Sequence, residues 1–242
     1  RRRGQHEPLQ HIVGSTSFCG YEIAVNRHVL VPRPETEILA EFGWNFLNEL
    51  SEQRNSQVKS PTKTEAGASQ SSPLRALDFG TGSGCIAIAL AMKCPSAQVF
   101  ALDVSPEALE VARQTAAKQR VAERIQFNFG ANLSALPEAL KFDLIISNPP
   151  YIPTAEIETL QPEVRDFDPR NALDGGSDGL KFFRQLAGEA LTRLKPEGRI
   201  MLEFGDEQAE SLKEIFTGQK WIVEAVKEDY NQHPRIFIAK LS

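Results

Sequence analysis

From residue 74 to the end of the chain, short apolar runs alternate with longer stretches of mixed polarity. Leu74–Phe79, Gln98–Asp103, Arg124–Phe129 and Phe142–Ser147 have the length and bounds of buried strands. Between them, 83–93 is apolar over helical length, and 105–118 opens with Ser105, a good N-cap, followed by Pro106 at the first helical position. Leu180–Leu194 reads as a helix closed by the turn Lys195-Pro196-Glu197-Gly198, and Arg199–Phe204 as the strand after it. Asp206–Phe216 is the next helix. Trp221–Val226 and Arg235–Leu241 are two strands with only a short loop between them, which suits an antiparallel hairpin at a sheet edge. The pattern predicts an α/β fold: a mostly parallel, seven-stranded sheet with helices on both faces and an antiparallel C-terminal edge.

The first third of the chain is organised differently. Residues 1–14 are a polar lead-in. Residues 17–31 alternate apolar and polar, with Gly20 and Asn26 as turn candidates, and predict a β-hairpin. Pro32-Arg33-Pro34-Glu35-Thr36 opens a helix over about 35–50, whose apolar Ile38, Leu39, Phe42, Phe46, Leu47 and Leu50 recur on a helical period. Residues 51–73 are rich in Ser, Gln, Lys and Thr with few large apolar groups. They predict a flexible insertion, because too little surface can be buried to offset the ordering entropy.

A net charge of −5 excludes a broad basic nucleic-acid-binding face, and Arg1-Arg2-Arg3 is the one basic run. No apolar run approaches the roughly 20 residues of a membrane span. Cys19, Cys85 and Cys94 lack CxxC spacing and cannot all pair within one chain, so reduced thiols and a cytoplasmic protein are expected. The four histidines are scattered without ligand spacing. No metal site is expected.

Candidate chemistry collects at the carboxyl ends of the predicted strands, where open parallel sheets bind ligands. Asp78-Phe79-Gly80-Thr81-Gly82-Ser83-Gly84 lies between the first strand of this sheet and its helix. Its glycines allow a tight turn and close ligand approach, with helix N–H groups behind them. Asp103 ends the next strand, where a carboxylate can accept both hydroxyls of a ribose. These features serve NAD and S-adenosylmethionine equally well.

Asn148-Pro149-Pro150-Tyr151 separates the two. Two consecutive prolines end the strand before them and stiffen the turn. The Asn148 side-chain oxygen and the Pro149 carbonyl are then two acceptors on one rigid turn, matched to the two hydrogens of one NH₂ group. Tyr151 offers a ring face for a planar group to pack on. An amide or aromatic amine nitrogen has a delocalised lone pair, so its catalyst must orient it and stabilise developing positive charge. This chemistry points to methyl transfer onto a planar nitrogen, with adenine and glutamine both open.

DFGTGSGCIAIALA, ALDVSPEALEVAR, FDLIISNPPYIP, EVRDFDPRNALDGGSDGL and LKPEGRIMLEFG, together with PLQHIVGSTSFCGYEIAVNRHVLVPRPETE, resemble the HemK/PrmC peptide-chain-release-factor glutamine N5-methyltransferases over nearly the whole chain outside 51–73. The resemblance implies a class I, Rossmann-like fold and S-adenosyl-L-methionine as cofactor, leaving S-adenosyl-L-homocysteine as product. It also implies methylation of the glutamine in the Gly-Gly-Gln motif of class I release factors, with no nucleic-acid substrate and no membrane. By family, Asp78, Gly80, Thr81, Gly82, Ser83, Gly84, Asp103 and Asn148 bind the cofactor. Asn148, Pro149 and Tyr151 are then catalytic, and Asn148, Pro149, Pro150 and Tyr151 hold the substrate, with Arg33 and Glu203 close to its pocket.

The chain departs from the family pattern after the third strand of the sheet. Ala131 and Asn132 stand where an acid and a bulky residue are usual, so Asn132 is expected to supply the hydrogen bond at the adenine end. Family members also carry a small helical N-terminal domain. Residues 1–36 are therefore expected to be the linker and hairpin remnant following a missing domain, and 37–242 the catalytic domain. Three rival readings are a ribosomal-protein glutamine methyltransferase, a DNA or RNA adenine N6-methyltransferase, and a non-catalytic cofactor-binding module. The intact PRPETE speaks against the first, the acidic charge balance against the second, and the complete NPPY against the third.

Overall fold

The structure, a computed structural model, describes residues 1–58 and 73–242. A one-turn helix α1 (Leu9–Val13) leads into a hairpin of β1 (Ser15–Phe18) and β2 (Tyr21–Ala24). Helix α2 (Pro34–Val58) follows. The main sheet and its cover are then built by β3 (Leu74–Phe79), α3 (Cys85–Lys93), β4 (Ala97–Asp103), α4 (Pro106–Lys118), β5 (Ile125–Phe129), β6 (Phe142–Ser147), the single turn α5 (Pro162–Arg165), α6 (Lys181–Glu189), β7 (Leu194–Glu203), α7 (Ala209–Gly218), β8 (Trp221–Glu228) and β9 (Pro234–Leu241).

Strand order is β5-β4-β3-β6-β7-β9-β8. β3 to β7 run parallel, and β9 is inserted antiparallel between β7 and β8. Successive strand residues point to opposite faces, and the two faces carry separate cores. Leu77, Phe100, Leu102, Ile145 and Leu202 pack with Phe183 and Leu186 of α6 and Phe216 of α7. Ala76, Val99, Ala101, Leu144 and Ile146 pack with α2 and α3 on the other side. That double cover explains why these strands read as continuous apolar runs rather than as alternations. Gly43 lets α2 lie close on the sheet, since a Cβ there would stand 2.9 Å from the Ile146 Cδ1.

Several boundaries differ from the sequence reading: the helix expected over Leu180–Leu194 ends at Glu189 and the one expected from Asp206 begins at Ala209, and three further differences have a visible cause. The hairpin ends at Ala24, because Asn26 forms its own turn by accepting the His28 N–H (2.9 Å), while Cys19 and Gly20, with φ of 51° and 82°, make the tight reversal. The expected turn at 195–198 lies inside β7 as an irregularity, where pairing with β6 jumps from Phe142–Leu194 to Leu144–Arg199. Helix α2 does not stop at residue 50 but runs on to Val58; the remainder of the expected insertion, 59–72, lies outside the described residues.

The physical reason for the longer helix is an ion pair that apolar periodicity cannot register. Arg54 donates to the fully buried Asp143 of β6 (2.5 Å), which also accepts from the Lys195 ammonium (2.7 Å) and the Arg75 N–H (2.8 Å). Asp143 therefore ties α2, β3 and the β7 irregularity to one strand. No described helix is long and apolar enough to cross a membrane. Removing the carboxylate would strand two cations against the sheet, so Asp143→Ala is expected to cost about 3 kcal/mol in denaturant-induced unfolding. Asp143→Asn, which keeps one acceptor, should cost less; equal stability of Asp143→Ala and the parent chain would refute this.

Candidate active site

The carboxyl ends of β3, β4, β5 and β6 open onto a cavity of about 750 Å³. It lies where the strand order reverses between β3 and β6, the position at which such sheets leave a crevice. Its wall takes Gly80 and Gly82 from the loop after β3, Asp103 from β4, Asn132 from the loop after β5, and Asn148 and Pro150 from the turn after β6. His28 to Leu30 and parts of the 169–176 segment also contribute, and neither was expected from sequence.

Gly80, Gly82 and Gly84 all take positive φ, at 70°, 52° and 80°. Beside Gly80 and Gly82 the position of a side chain is empty to 4 Å, whereas a Cβ on Gly84 would stand 2.9 Å from that of Ala112. Gly84 thus seats the loop on α4 while the other two leave bare backbone facing the cavity. The N–H groups of the loop itself are turned to the protein. Gly80 and Thr81 both donate to the Leu102 carbonyl (2.8 and 3.1 Å), Gly82 to Asp103 (2.8 Å) and Gly84 to the Thr81 carbonyl (2.8 Å).

Asp78 does not reach the cavity. It is buried beneath the loop and accepts from the Thr81 hydroxyl (2.6 Å) and the Ala87 N–H (3.1 Å). Its other oxygen has no partner among the described residues, and burial lifts its pKa from 3.8 to about 7. Thr81 and Ser83 are buried behind the same wall. Asp103, in contrast, lines the cavity while one oxygen accepts from Gly82 and the other from the Ser105 N–H (2.9 Å). Burial holds its pKa above the usual carboxylate value. Each oxygen retains a further lone pair. The Asn132 side-chain oxygen is taken by the N–H and hydroxyl of Ser134 (3.1 and 2.5 Å), which leaves its NH₂ as the donor end.

The Asn148-Pro149-Pro150-Tyr151 turn is clasped from several sides. The Ser147 hydroxyl donates to the Phe79 carbonyl (2.6 Å), joining the ends of β6 and β3. The Tyr151 carbonyl accepts from the Gln208 amide (2.9 Å), and Ile152 exchanges backbone hydrogen bonds with Leu173 and Gly175 (3.0 and 2.8 Å). A Cβ on Gly175 would stand 2.8 Å from the Tyr151 Cα, and one on Gly179 2.3 Å from its carbonyl oxygen. Those contacts account for Gly175 and Gly179 of ALDGGSDGL, a segment that lies directly against the turn, while Gly176 is needed for its φ of 88°. The Tyr151 ring packs on Gly205, and burial, with Glu203 nearby, pushes its phenol pKa upward.

Asn148 lines the cavity and donates from its side-chain nitrogen to the Thr36 hydroxyl (3.0 Å), which in turn donates to Glu203 (2.7 Å). Thr36 was not among the expected site residues, although it sits inside the PRPETE motif that helped to mark the family. Glu203 is buried off the cavity wall and its pKa is raised from 4.5 to about 7, chiefly by burial. Hydrogen bonding from Thr36, the Arg235 charge and, last, hydrogen bonding from Asn148 oppose that rise, and Glu35 adds to it. Arg33 lies apart from the large cavity. It pairs with the buried Asp168 (2.8 Å) and lines a separate hollow of about 240 Å³ with Arg3 and Glu163.

A ligand bearing a ribose and a planar base suits this wall: open glycine backbone, a carboxylate with spare lone pairs, and an amide donor beyond it. A family described as a methyltransferase domain matches residues 70–237. A methyltransferase structure from Pyrococcus furiosus superposes with a TM-score of 0.63 at 20% identity, covering 99% of this chain and 98% of that one. Fold and site define a class I, S-adenosylmethionine-dependent methyltransferase.

The release factor glutamine methyltransferase of Geobacter sulfurreducens is 42% identical over 216 residues, or 89% of this chain and 67% of that protein. The bifunctional methyltransferase of Rickettsia felis is 38% identical over 98% of this chain, which spans 46% of that protein's length. The chain belongs to the release factor glutamine methyltransferase family, HemK/PrmC.

Glu203 also sets a pH dependence of stability. Between its ordinary pKa of 4.5 and its folded value of about 7, the folded chain holds a proton that the unfolded chain has released. Stability from this group is therefore fully present at low pH and lost as pH rises through that window. Glu203→Gln removes the titration. The unfolding midpoint of the parent chain should accordingly fall relative to Glu203→Gln as pH is raised from about 4.5 to about 7; parallel curves would show that Glu203 does not titrate there.

Proposed function

We propose that this chain methylates the side-chain nitrogen of the glutamine in the Gly-Gly-Gln motif of class I release factors. The observation that carries the reading is the carboxamide of Asn148 on the cavity wall, nitrogen turned to Thr36 and oxygen left as an acceptor, in a chain of this family. The bound cofactor supplies an electrophilic methyl group. Gly80, Gly82 and Asp103 would hold its nucleoside, Asp103 through the ribose hydroxyls, and Asn132 its adenine through the side-chain NH₂. Asp78, Thr81, Ser83 and Gly84 serve the same binding by shaping the loop from behind.

The chain's own contribution to catalysis is orientation and charge stabilisation. The Asn148 oxygen and the Pro149 carbonyl accept the two hydrogens of the glutamine NH₂, aligning its nitrogen and stabilising the positive charge that grows on it. Asparagine cannot act as a base at neutral pH, so the role is positioning. Pro150 stiffens the turn, and Tyr151 gives the planar amide a surface. Arg33 and Glu203 would act from outside the wall, Glu203 through Thr36 and Asn148, and Arg33 from its separate hollow, near enough for its charge to bear on the Tyr151 phenol. A cytoplasmic location belongs to the same proposal, supported by three unpaired cysteines.

With labelled S-adenosylmethionine the chain is expected to label a class I release factor, and a Gln→Ala change in Gly-Gly-Gln should abolish the signal. Labelling of the altered factor, of a ribosomal protein alone or of bare nucleic acid would sink the assignment. For Asn148→Ala, turnover should fall by about 100-fold or more while cofactor affinity measured by calorimetry is largely kept. A release-factor rate equal to that of the parent chain would remove Asn148 from its assigned role.

A further inference from the structure

We propose that Thr36 is a positioning residue: through a one-way relay from Asn148 to Thr36 to Glu203, it decides which end of the Asn148 carboxamide faces the substrate nitrogen. This rests on the glutamine reading above, in which Asn148 must present oxygen rather than NH₂.

A carboxamide has a donor end and an acceptor end of nearly equal size. Shape alone does not separate them, so direction must come from a hydrogen-bonding partner. Thr36 by itself cannot provide it, because a hydroxyl both donates and accepts. Glu203 breaks the tie. In its ionised form, which prevails above a pKa of about 7, the carboxylate only accepts, and the 2.7 Å contact then consumes the single Thr36 proton. Only lone pairs remain on the hydroxyl for Asn148, whose nitrogen lies 3.0 Å away. The Asn148 oxygen is thereby committed to the cavity.

Placement agrees with an indirect role. Thr36 sits in the first turn of α2, is 2% exposed, and forms no part of the cavity wall. It cannot touch a substrate in the cavity except through Asn148. Glu203, at the end of β7, is equally buried. The relay thus links α2, the turn after β6 and the end of β7. Burial of Thr36 and Glu203 keeps water from competing for the hydrogen bond on the nitrogen side of Asn148, whose other end faces the cavity.

The test compares the parent chain, Thr36→Val and Thr36→Ser at saturating cofactor with a release factor as substrate, at a pH well above the Glu203 pKa of about 7 so that the carboxylate is ionised. Thr36→Val should lower kcat by about 10- to 100-fold, the scale of a misoriented catalytic group. KM and the calorimetric dissociation constant for S-adenosylmethionine should change little, and Thr36→Ser, which restores the hydroxyl, should recover most of the rate. The side-chain amide resonances of Asn148, sharp and protected from exchange in the parent chain, should become mobile in Thr36→Val. Should that variant prove unstable, Thr36→Ala removes the same hydroxyl and is read in the same way.

An unchanged kcat in Thr36→Val, a loss that Thr36→Ser does not repair, or a loss carried by KM or cofactor affinity would each overturn the relay. If the parent chain itself fails to label the release factor, the glutamine reading falls, and the Asn148 resonances alone then decide whether Thr36 sets its orientation.

Discussion

Two adjacent prolines cannot donate backbone hydrogen bonds, and that deficit governs how the active-site turn is built. A turn whose two central residues have no N–H can do little local bonding, and Asn148-Pro149-Pro150-Tyr151 is held by its surroundings. Gln208 captures the Tyr151 carbonyl, the 173–175 backbone pairs with Ile152, and Gly205 receives the Tyr151 ring. Two glycines of the ALDGGSDGL segment follow from this constraint, because any side chain at Gly175 or Gly179 would enter the Tyr151 backbone. A rigid catalytic turn thus dictates the composition of a segment more than twenty residues away in sequence.

Buried carboxyl groups take different roles according to what faces them. Asp143 meets two cations and a backbone N–H and acts as a structural hub. Asp78 meets only a hydroxyl and one N–H, and burial raises its pKa to about 7 beneath the glycine loop. Asp103 keeps one side toward the cavity while bracing Gly82 and Ser105. The glycine loop is similarly divided: its N–H groups secure the loop to the protein, and its missing side chains make the room. Binding surface and scaffold are interleaved residue by residue.

Much of the fold was legible in the chain itself. Strands buried on both faces leave long apolar runs, and Ser105-Pro106 marks a helix start by chemistry that is entirely local. Two of the errors share a cause. Helix α2 continued through a polar stretch because Arg54 reaches Asp143, a partner 89 residues away. The 195–198 segment became part of β7 because Lys195 is drawn to that same carboxylate, with Gly198 fitting closely against the Asp143 carbonyl. Polar contacts between distant residues leave no periodicity to read.

By itself, the sequence determined which residue types were available for chemistry: a glycine loop, a strand-end acid, and an asparagine joined to two prolines and a tyrosine. Spacing and backbone stereochemistry suffice for that, since each motif is local. Tertiary structure alone decided their assignments. It placed Gly80, Gly82, Asp103, Asn132, Asn148 and Pro150 on one wall, left Asp78, Thr81 and Ser83 behind it, and set Arg33 beside a different hollow. It also brought Thr36 to Asn148, 112 residues away along the chain, and to Glu203, 167 residues away. The orientation of a carboxamide depends on which donor or acceptor stands next to it, and only the folded chain determines that neighbour.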